Sequence, residues 1–148
     1  MSPLAASRPA RVLLVEDNEA DVRLTREALR EAGETVRLSA VGDGEQALAY
    51  LRRQAGFAEA PRPDLVLLDL NLPRKNGLEV LDEMRAEPSL APIPVIVLTS
   101  SSARQDVEAA YSHGANAFVV KPQDLDAFMD LIGAIRGFWL GVAQLPSG

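Results

Sequence analysis

The stretch Asp64-Leu-Val-Leu-Leu-Asp69-Leu-Asn71-Leu-Pro73 runs from a short apolar segment into acidic and turn-forming residues. Four consecutive apolar residues are typical of a parallel strand that is covered on both faces of its sheet. Two other segments have the same form: Val12-Leu-Leu-Val15 leads into Glu16-Asp17, and Ala117-Phe-Val-Val120 leads into Lys121-Pro122. Each of these predicted strands therefore ends in residues that carry charge.

Predicted strands and helices alternate along the whole chain. This alternation predicts an α/β fold, with a doubly wound five-stranded parallel sheet, right-handed crossovers and helices on both faces. The second strand alternates apolar and polar residues, so we place it at the sheet edge. Gly33 is expected to end the first helix. The predicted strands are Val12–Val15, Thr35–Val41, Leu65–Leu68, Val95–Leu98 and Ala117–Val120; the predicted helices are Glu19–Ala32, one that follows Asp43-Gly44, Asn76–Arg85, Ser102–His113 and one from Asp124 to about Leu140.

Length and composition indicate one globular domain: 148 residues, of which 47% are hydrophobic and 24% charged. The net charge of -6 argues against a nucleic-acid partner, and the absence of cysteine excludes thiolate metal sites. No apolar run reaches the roughly 18 residues of a membrane span, and the N-terminus does not have the form of a signal peptide. We therefore expect a cytoplasmic protein with a flexible tail over residues 1–9, a domain over 10–140 and a C-terminal tail over 141–148.

Several residues with chemical potential lie at the predicted carboxyl ends of the strands, where ligands bind in such sheets. Glu16, Asp17 and Asp69 offer hard oxygen ligands, which suit Mg²⁺ or Mn²⁺ better than zinc. A carboxylate can also act as a nucleophile and form an aspartyl phosphate, and Asp69 is the best candidate. Lys121 and the hydroxyl of Thr99 could then stabilise the charge of the phosphoryl oxygens.

Each of these residues has an ordinary structural explanation when it is taken alone. Asp17 could be a helix cap, Asp69 a turn residue, Thr99 a cap for the next helix and Lys121 a solvated loop residue. Their joint position at the ends of alternating strands favours the functional interpretation. His113, at the predicted end of a helix, is assigned no role.

Four motifs together resemble the receiver domain of two-component response regulators, from about Arg11 to Ile135. They are Val-Leu-Leu-Val-Glu-Asp-Asn, Leu-Val-Leu-Leu-Asp-Leu-Asn-Leu-Pro followed by Asn76-Gly77, Val-Leu-Thr-Ser, and Phe-Val-Val-Lys-Pro. The resemblance implies a flavodoxin-like strand order of 2-1-3-4-5. It also implies that Asp69 receives a phosphoryl group from a sensor histidine kinase.

The same resemblance implies the metal ligands. Asp17 and Asp69 would bind Mg²⁺, or alternatively Mn²⁺, directly, together with the backbone carbonyl of Asn71. Glu16 would act through a metal-bound water. These assignments give each acid of the predicted cluster a distinct role.

The remaining residues of the family pattern concern the phosphoryl group and the response to it. By resemblance, Lys121 and Thr99 bind the phosphoryl oxygens, and Phe118 is the switch aromatic that moves inward with Thr99. The bond between Lys121 and Pro122 is expected to be cis. Asn71 and Ser101 lie near the path of an attacking water, and the short, uncharged Ser101 predicts slow dephosphorylation.

The C-terminal stretch Phe138–Pro146 resembles the ending of response regulators that partner phytochromes, which implies a bacteriophytochrome as the kinase. The last helix carries two apolar stripes, of which one can cover the sheet. The other would be an exposed patch unless a partner buries it. The resemblance to receiver domains implies that this partner is a second copy, in a homodimer through helix 4, strand 5 and helix 5. The first stripe contains Leu125, Phe128, Ile132, Ile135 and Trp139; the second contains Ala127, Leu131, Ala134 and Phe138, of which Leu131, Ala134 and Phe138 are the predicted interface.

The expected output is protein contact, because the receiver leaves no room for a DNA-binding domain among these residues.

The main rival is an aspartyl-phosphate phosphohydrolase, but such enzymes need an acid two residues after the nucleophile, where this chain has Asn71. A relay intermediate that passes the phosphoryl group to a phosphotransfer protein is the other alternative. A pseudo-receiver is disfavoured because all the acids are present. We therefore predict a phosphorylation switch rather than an enzyme, with only self-phosphorylation and slow autodephosphorylation.

Overall fold

A computed structural model describes residues 8–31 and 36–146 of the chain. Strands and α-helices alternate in this part of the chain, and a π-helix ends the series. The predicted helix stop at Gly33 and the start of the second strand at Thr35 lie outside the described residues. The elements are β1 (Ala10–Val15), α1 (Glu19–Glu31), β2 (Val36–Val41), α2 (Gly44–Arg52), β3 (Leu65–Leu68), α3 (Gly77–Ala86), β4 (Val95–Thr99), α4 (Arg104–Ser112), β5 (Ala117–Val120), α5 (Leu125–Ile135) and the π-helix (Arg136–Val142).

The strands form one parallel sheet in the order β2-β1-β3-β4-β5, which confirms the predicted fold class and the edge position of β2. In β3, Val66 and Leu68 belong to one apolar cluster, and Leu65 and Leu67 belong to a second cluster. Successive side chains of a strand point to opposite faces, so an uninterrupted apolar run is required where both faces are covered. Helices therefore pack on both sides of the sheet.

Side-chain caps define where several helices begin. Asp43 accepts a hydrogen bond from Gln46 N at 2.8 Å, and Asn76 forms a reciprocal capping box with Glu79. Such caps satisfy backbone N–H groups that have no partner within the helix. Helix α4 has no side-chain cap and begins at Arg104, two residues later than predicted. Among the described residues, no helix is both long enough and apolar enough to cross a membrane.

The C-terminal helix differs from the prediction in both its geometry and its exposure. The α-helix ends at Ile135, and a π-helix continues it, with Ala143 N–H donating to Phe138 O at 2.7 Å. Leu125, expected in the buried stripe, is 54% exposed, whereas Leu131 of the predicted interface is half-buried against the core. Helical spacing gives the direction of a side chain, but it does not specify how far the neighbouring sheet extends.

Arg8, which is predicted to lie in the flexible tail, makes a two-pronged ion pair with Asp64. Both N–O distances are 2.8 Å, and the backbone N–H of Arg11 donates to the same carboxylate at 2.8 Å. Burial raises the pKa of a carboxyl group, but at Asp64 the hydrogen bonds from Arg8 and Arg11 outweigh burial and lower it. Asp64 therefore anchors the beginning of β3 rather than taking part in a site.

We expect Arg8→Ala to reduce the free energy of unfolding by about 1.5–3 kcal/mol at neutral pH, because the buried carboxylate would lose its charged donor. The folded-state pKa of Asp64 is below the ordinary 3.8, so the contribution is present above pH 3.8 and is lost as the pH falls through the folded-state value. Urea unfolding at several pH values measures this difference. Arg23→Ala, at an exposed position of α1, is the control; an equal effect of both substitutions would contradict the assignment.

Candidate phosphorylation and metal site

The sheet itself brings the predicted site residues to one edge. Asp69 N–H donates to Val15 O at 3.0 Å, and Lys121 N–H donates to Thr99 O at 2.8 Å. These bonds continue the strand pairing one residue past the strand ends, so the backbone positions of Asp69 and Lys121 are fixed by the sheet. Glu16 is held similarly, through a 3.0 Å bond from its N–H to Val41 O.

Three carboxylates converge at this edge. Glu16, Asp17 and Asp69 each offer an oxygen, and these oxygens lie within 4.8 Å of one another. Glu16 and Asp69 are buried and Asp17 is exposed, so the cluster opens to solvent on one side. Asn71 N–H donates to the Oδ1 of Asp69 at 3.1 Å. A set of hard oxygen donors with one open side suits a divalent cation such as Mg²⁺ or Mn²⁺.

The ammonium of Lys121 lies against three carboxylates. It donates to Glu16, to the Oδ2 of Asp21 at 2.9 Å and to the Oδ2 of Asp69 at 3.0 Å. An ammonium has three N–H donors, so this arrangement uses all of them. The Lys121 side chain is only 9% exposed, which protects these bonds from water and salt.

Burial and charge act in opposite directions on the site's ionisable groups. Burial is the largest influence on the pKa of Glu16; the hydrogen bonds from Lys121 and Asn18 offset only part of it, and the pKa is raised to about 7. Burial alone would lower the pKa of Lys121, but its bonds to Glu16 and Asp21 and the charge of Asp69 raise it. Lys121 therefore remains charged, and the acids around it carry an excess of negative charge that an additional cation could balance.

Asp21 is the site residue that sequence reasoning missed. It lies in the first turn of α1 rather than at a strand end, so the rule that found the other residues could not find it. A signal was present, because Asp21 is four residues beyond Asp17 and lies in the first turn of the helix that directly follows β1. An acid at that spacing, just behind β1, is placed to reach the same edge.

Thr99 is completely buried at the end of β4, and its Oγ1 has no hydrogen-bond partner among the described residues. Buried hydroxyl groups without a partner are uncommon in folded proteins. A hydroxyl in this position can donate to an oxygen that arrives at the sheet edge. This observation supports the prediction that Thr99 binds a phosphoryl oxygen.

The expected cis bond between Lys121 and Pro122 is wrong, because the described residues contain no cis peptide bond. For a bond that precedes proline, trans is favoured by only about 0.5–1 kcal/mol, so a sequence motif alone does not determine the isomer. With the trans bond, the Lys121 side chain still reaches all three carboxylates.

Phe118 and Ser101 occupy defined surroundings next to the site. Phe118 is half-buried against the apolar cluster that contains Val97, and its N–H donates to Tyr111 Oη at 3.1 Å. The Ser101 hydroxyl donates to the carboxylate of Asp106 on α4. Their predicted roles, in switching and in dephosphorylation, remain predictions.

The fold and these residues define a class of doubly wound α/β domain, with an acidic site and a charged lysine at the carboxyl edge of its sheet. The sequence model of one protein family, the response regulator receiver domain, matches residues 12–133 of this chain. The chain belongs to this family, as the motifs predicted.

Within this family, the chain is similar to several individual response regulators. Response regulator Rcp1 of Synechocystis sp. is 42% identical over 139 residues, covering 94% of this chain and 95% of the relative. The crystal structure of Mn²⁺-bound Rcp1 superposes with a TM-score of 0.89. The match covers 94% of this chain and all of the Rcp1 chain. The phosphorylated cyanobacterial phytochrome response regulator RcpA is 43% identical with a TM-score of 0.91, covering 94% of this chain and 99% of its own. The bacteriophytochrome response regulator AtBRR is 40% identical with a TM-score of 0.72, and the match covers 89% of this chain and 96% of the AtBRR chain.

Proposed function

We propose that the chain is a phosphorylation switch in which Asp69 accepts a phosphoryl group from a sensor histidine kinase. The observation that carries this proposal is the charged Lys121 held 3.0 Å from the Asp69 carboxylate, inside a cluster of acids. An ammonium at this distance can stabilise the negative charge of a phosphoryl group on Asp69. The orphan hydroxyl of Thr99 offers a second donor from the neighbouring strand.

The transfer is a displacement at phosphorus. A carboxylate oxygen of Asp69 attacks the phosphorus of a phosphohistidine, and an O–P bond forms as the P–N bond breaks. The imidazole nitrogen keeps the electron pair of that bond and takes up a proton from solvent. Lys121 and Thr99 donate hydrogen bonds to the phosphoryl oxygens while their charge is redistributed.

Glu16, Asp17, Asp69 and the backbone carbonyl of Asn71 are the proposed ligands for Mg²⁺ or Mn²⁺. A divalent cation supplies positive charge that neutralises the oxygens of the transferred group. The convergence of three carboxylates and the open side of the cluster support this proposal. The Mn²⁺-bound state of Rcp1 supports it independently.

Incubation with acetyl phosphate and Mg²⁺ tests the proposed function without a kinase. Intact mass spectrometry is expected to find one added phosphoryl group per chain, and peptide mapping is expected to locate it on Asp69. Chelation of the metal before the reaction should suppress the labelling. No labelling in the presence of Mg²⁺, or a label on a different residue, would contradict the proposal.

The proposed kinase is of the phytochrome type. RcpA and AtBRR are both described as phytochrome response regulators, and each matches at least 89% of this chain. Phosphotransfer from a bacteriophytochrome kinase should therefore be faster than transfer from an unrelated histidine kinase at equal concentration. Equal rates from both kinases would remove this part of the proposal.

The phosphorylated protein is proposed to signal through contact with another protein, including a second copy of itself. Phe138 is 53% exposed and packs edge-to-face on Trp139, with ring centroids 5.5 Å apart. Ala134 is also exposed, whereas Leu131 packs against the core and would contribute only its outer side. The proposed self-association therefore depends mainly on Ala134 and Phe138.

We expect the double variant Ala134→Glu, Phe138→Glu to sediment as a monomer at concentrations where the wild type sediments as a dimer. Two like charges in each copy of an apolar interface would be buried without partners. Ala58→Glu, at an exposed position of the loop between α2 and β3, is the control and should leave sedimentation unchanged. The dimer proposal fails if wild type and double variant have the same sedimentation coefficient.

We expect Ser101→Glu to shorten the lifetime of the phosphorylated state several-fold, because a carboxylate could orient an attacking water that the short serine does not reach. The decay of intact phosphoprotein mass over time, after removal of the phosphodonor, measures the lifetime. Ser102→Glu adds the same charge one residue further along the chain and serves as the control. An unchanged decay rate in Ser101→Glu would contradict the predicted role of Ser101.

A further inference from the structure

We propose that Asp21 is a positioning residue that holds the Lys121 ammonium in place for the phosphoryl group of Asp69. The inference rests on the proposed function and adds to it a residue from α1. Its basis is the 2.9 Å contact between Asp21 Oδ2 and Lys121 Nζ, which joins the first turn of α1 to the residue after β5.

The backbone around Asp21 is held by two further hydrogen bonds. Asp21 N–H donates to the Oδ1 of Asn18 at 3.0 Å, and Asp21 O accepts from the hydroxyl of Thr25 at 2.7 Å. Thr25 is buried, together with Ala28 and Leu29 on the same face of α1. The Asp21 carboxylate therefore starts from a fixed point, and its position depends on the packing of α1 against the sheet.

The three carboxylates that contact Lys121 differ in whether they belong to the proposed metal site and whether they react. Glu16 and Asp69 belong to the acid cluster that suits a divalent cation, and Asp69 also becomes an acyl phosphate when it is phosphorylated. Asp21 does not belong to that cluster and does not react. Its bond to Lys121 is therefore the one that can persist unchanged before and after transfer.

A persistent bond matters because a lysine side chain is long and flexible, and its ammonium is strongly hydrated. When a bound cation balances the charges of Glu16 and Asp69, their attraction for Lys121 decreases, so these two acids alone hold the ammonium less firmly before the phosphoryl group arrives. The Asp21 carboxylate is 26% exposed and the Lys121 side chain is largely buried, so their attraction is only partly screened. Asp21 thus keeps a donor within reach of the phosphoryl oxygens.

A general role at the helix N-terminus does not account for this contact. Acidic residues in a first turn interact favourably with the helix dipole, and both Glu19 and Asp21 occupy that turn. Glu19 is exposed, and the hydrogen bonds of the Lys121 ammonium go to Asp21, Glu16 and Asp69 instead. Glu19 is therefore the matched control for charge and helix position.

The test compares Asp21→Asn with Glu19→Gln in phosphorylation by acetyl phosphate at saturating Mg²⁺. We expect Asp21→Asn to lower the maximal rate roughly tenfold, because misplacement of a group that contacts the transition state lowers the rate of the chemical step. The acetyl phosphate concentration at half-maximal rate should change little. Asp21→Glu should recover part of the rate, and Glu19→Gln should match the wild type.

Two measurements separate positioning from a loss of structure. In a Lys121→Met background, Asp21→Asn should have no further effect, because the residue it positions is absent. In metal-free protein, NMR of the Lys121 ammonium should detect slowly exchanging protons in the wild type and faster exchange in Asp21→Asn. Thermal unfolding confirms that each variant is folded.

The outcomes distinguish this inference from the proposed function. If the wild type is labelled on Asp69 and Asp21→Asn is labelled at the same rate, the positioning role is wrong and the proposed function stands. If Asp21→Asn slows labelling equally with and without Lys121, Asp21 acts by another route and the inference is also wrong. If the wild type is not labelled at all, the proposed function itself fails.

Discussion

An Asp69→Asn variant is expected to gain no phosphoryl group from acetyl phosphate and Mg²⁺, under conditions in which the wild type gains one. The amide is similar in size to the carboxylate but lacks the anionic oxygen that attacks phosphorus. The fold should persist, since Lys121 retains Glu16 and Asp21 as partners and the cluster loses one of its mutually repelling charges. Intact mass spectrometry measures the labelling, and a phosphate-affinity gel provides a second readout.

Asp64→Asn is the matched control, because Asp64 is a second buried acid that lies just before the same strand, β3. It contacts Arg8 at the opposite end of the sheet, so its loss should lower stability but leave the labelling intact. Labelling that survives in Asp69→Asn would overturn the assignment of the phosphoacceptor. Labelling that is lost in both variants would indicate that the assay reports folding rather than chemistry.

Gly77→Ala is expected to lower the free energy of unfolding by about 1–3 kcal/mol and to slow phosphorylation. A Cβ at this position would lie 2.5 Å from the backbone oxygen of Asp69 and 2.8 Å from the Cα of Leu70. Both are backbone atoms, so the clash can be relieved only by moving the start of α3 and the segment that carries Asp69 apart. The substitution therefore tests whether the close approach of α3 to β3 positions the phosphoacceptor.

Gly133→Ala provides the comparison, since a Cβ there would have no neighbour within 4 Å among the described residues, apart from the chain next to it and the backbone of its own helix. Gly133 lies inside α5, where alanine is favoured over glycine by up to about 1 kcal/mol, so this variant should be as stable as the wild type or more stable. Urea unfolding and the rate of labelling, measured on both variants, complete the test. The interpretation of Gly77 is wrong if the two variants behave alike.

The fold and most of the site could be predicted from sequence because both follow from the strands. An apolar run identifies a covered strand, and the residue after it lies at the carboxyl edge of the sheet. This rule was sufficient to bring Glu16, Asp69, Thr99 and Lys121 together. Asp21 required knowledge of how α1 is rotated against the sheet, which strand patterns do not contain.

The errors have physical causes as well. The change from α-helix to π-helix after Ile135 depends on local packing, and no composition rule marks it. Leu125 and Leu131 were assigned to faces by helical period alone, although burial also depends on where the sheet ends. The bond before Pro122 separates two isomers of similar energy, so the family pattern was a poor guide to it.

Lys121 and the acids that it contacts are far apart in the sequence, so they are synthesised at different times. Lys121 follows Asp69 by 52 residues and Glu16 by 105, and its strand, β5, pairs only with β4 at the edge of the sheet. Chains emerge from the ribosome N-terminus first, so the acids are made well before the lysine that balances them. A sheet formed without β5 would bury Glu16 and Asp69 without this cation, which is unfavourable. The segment that is made last thus supplies both an edge strand of the sheet and the counter-charge for the acids of the site.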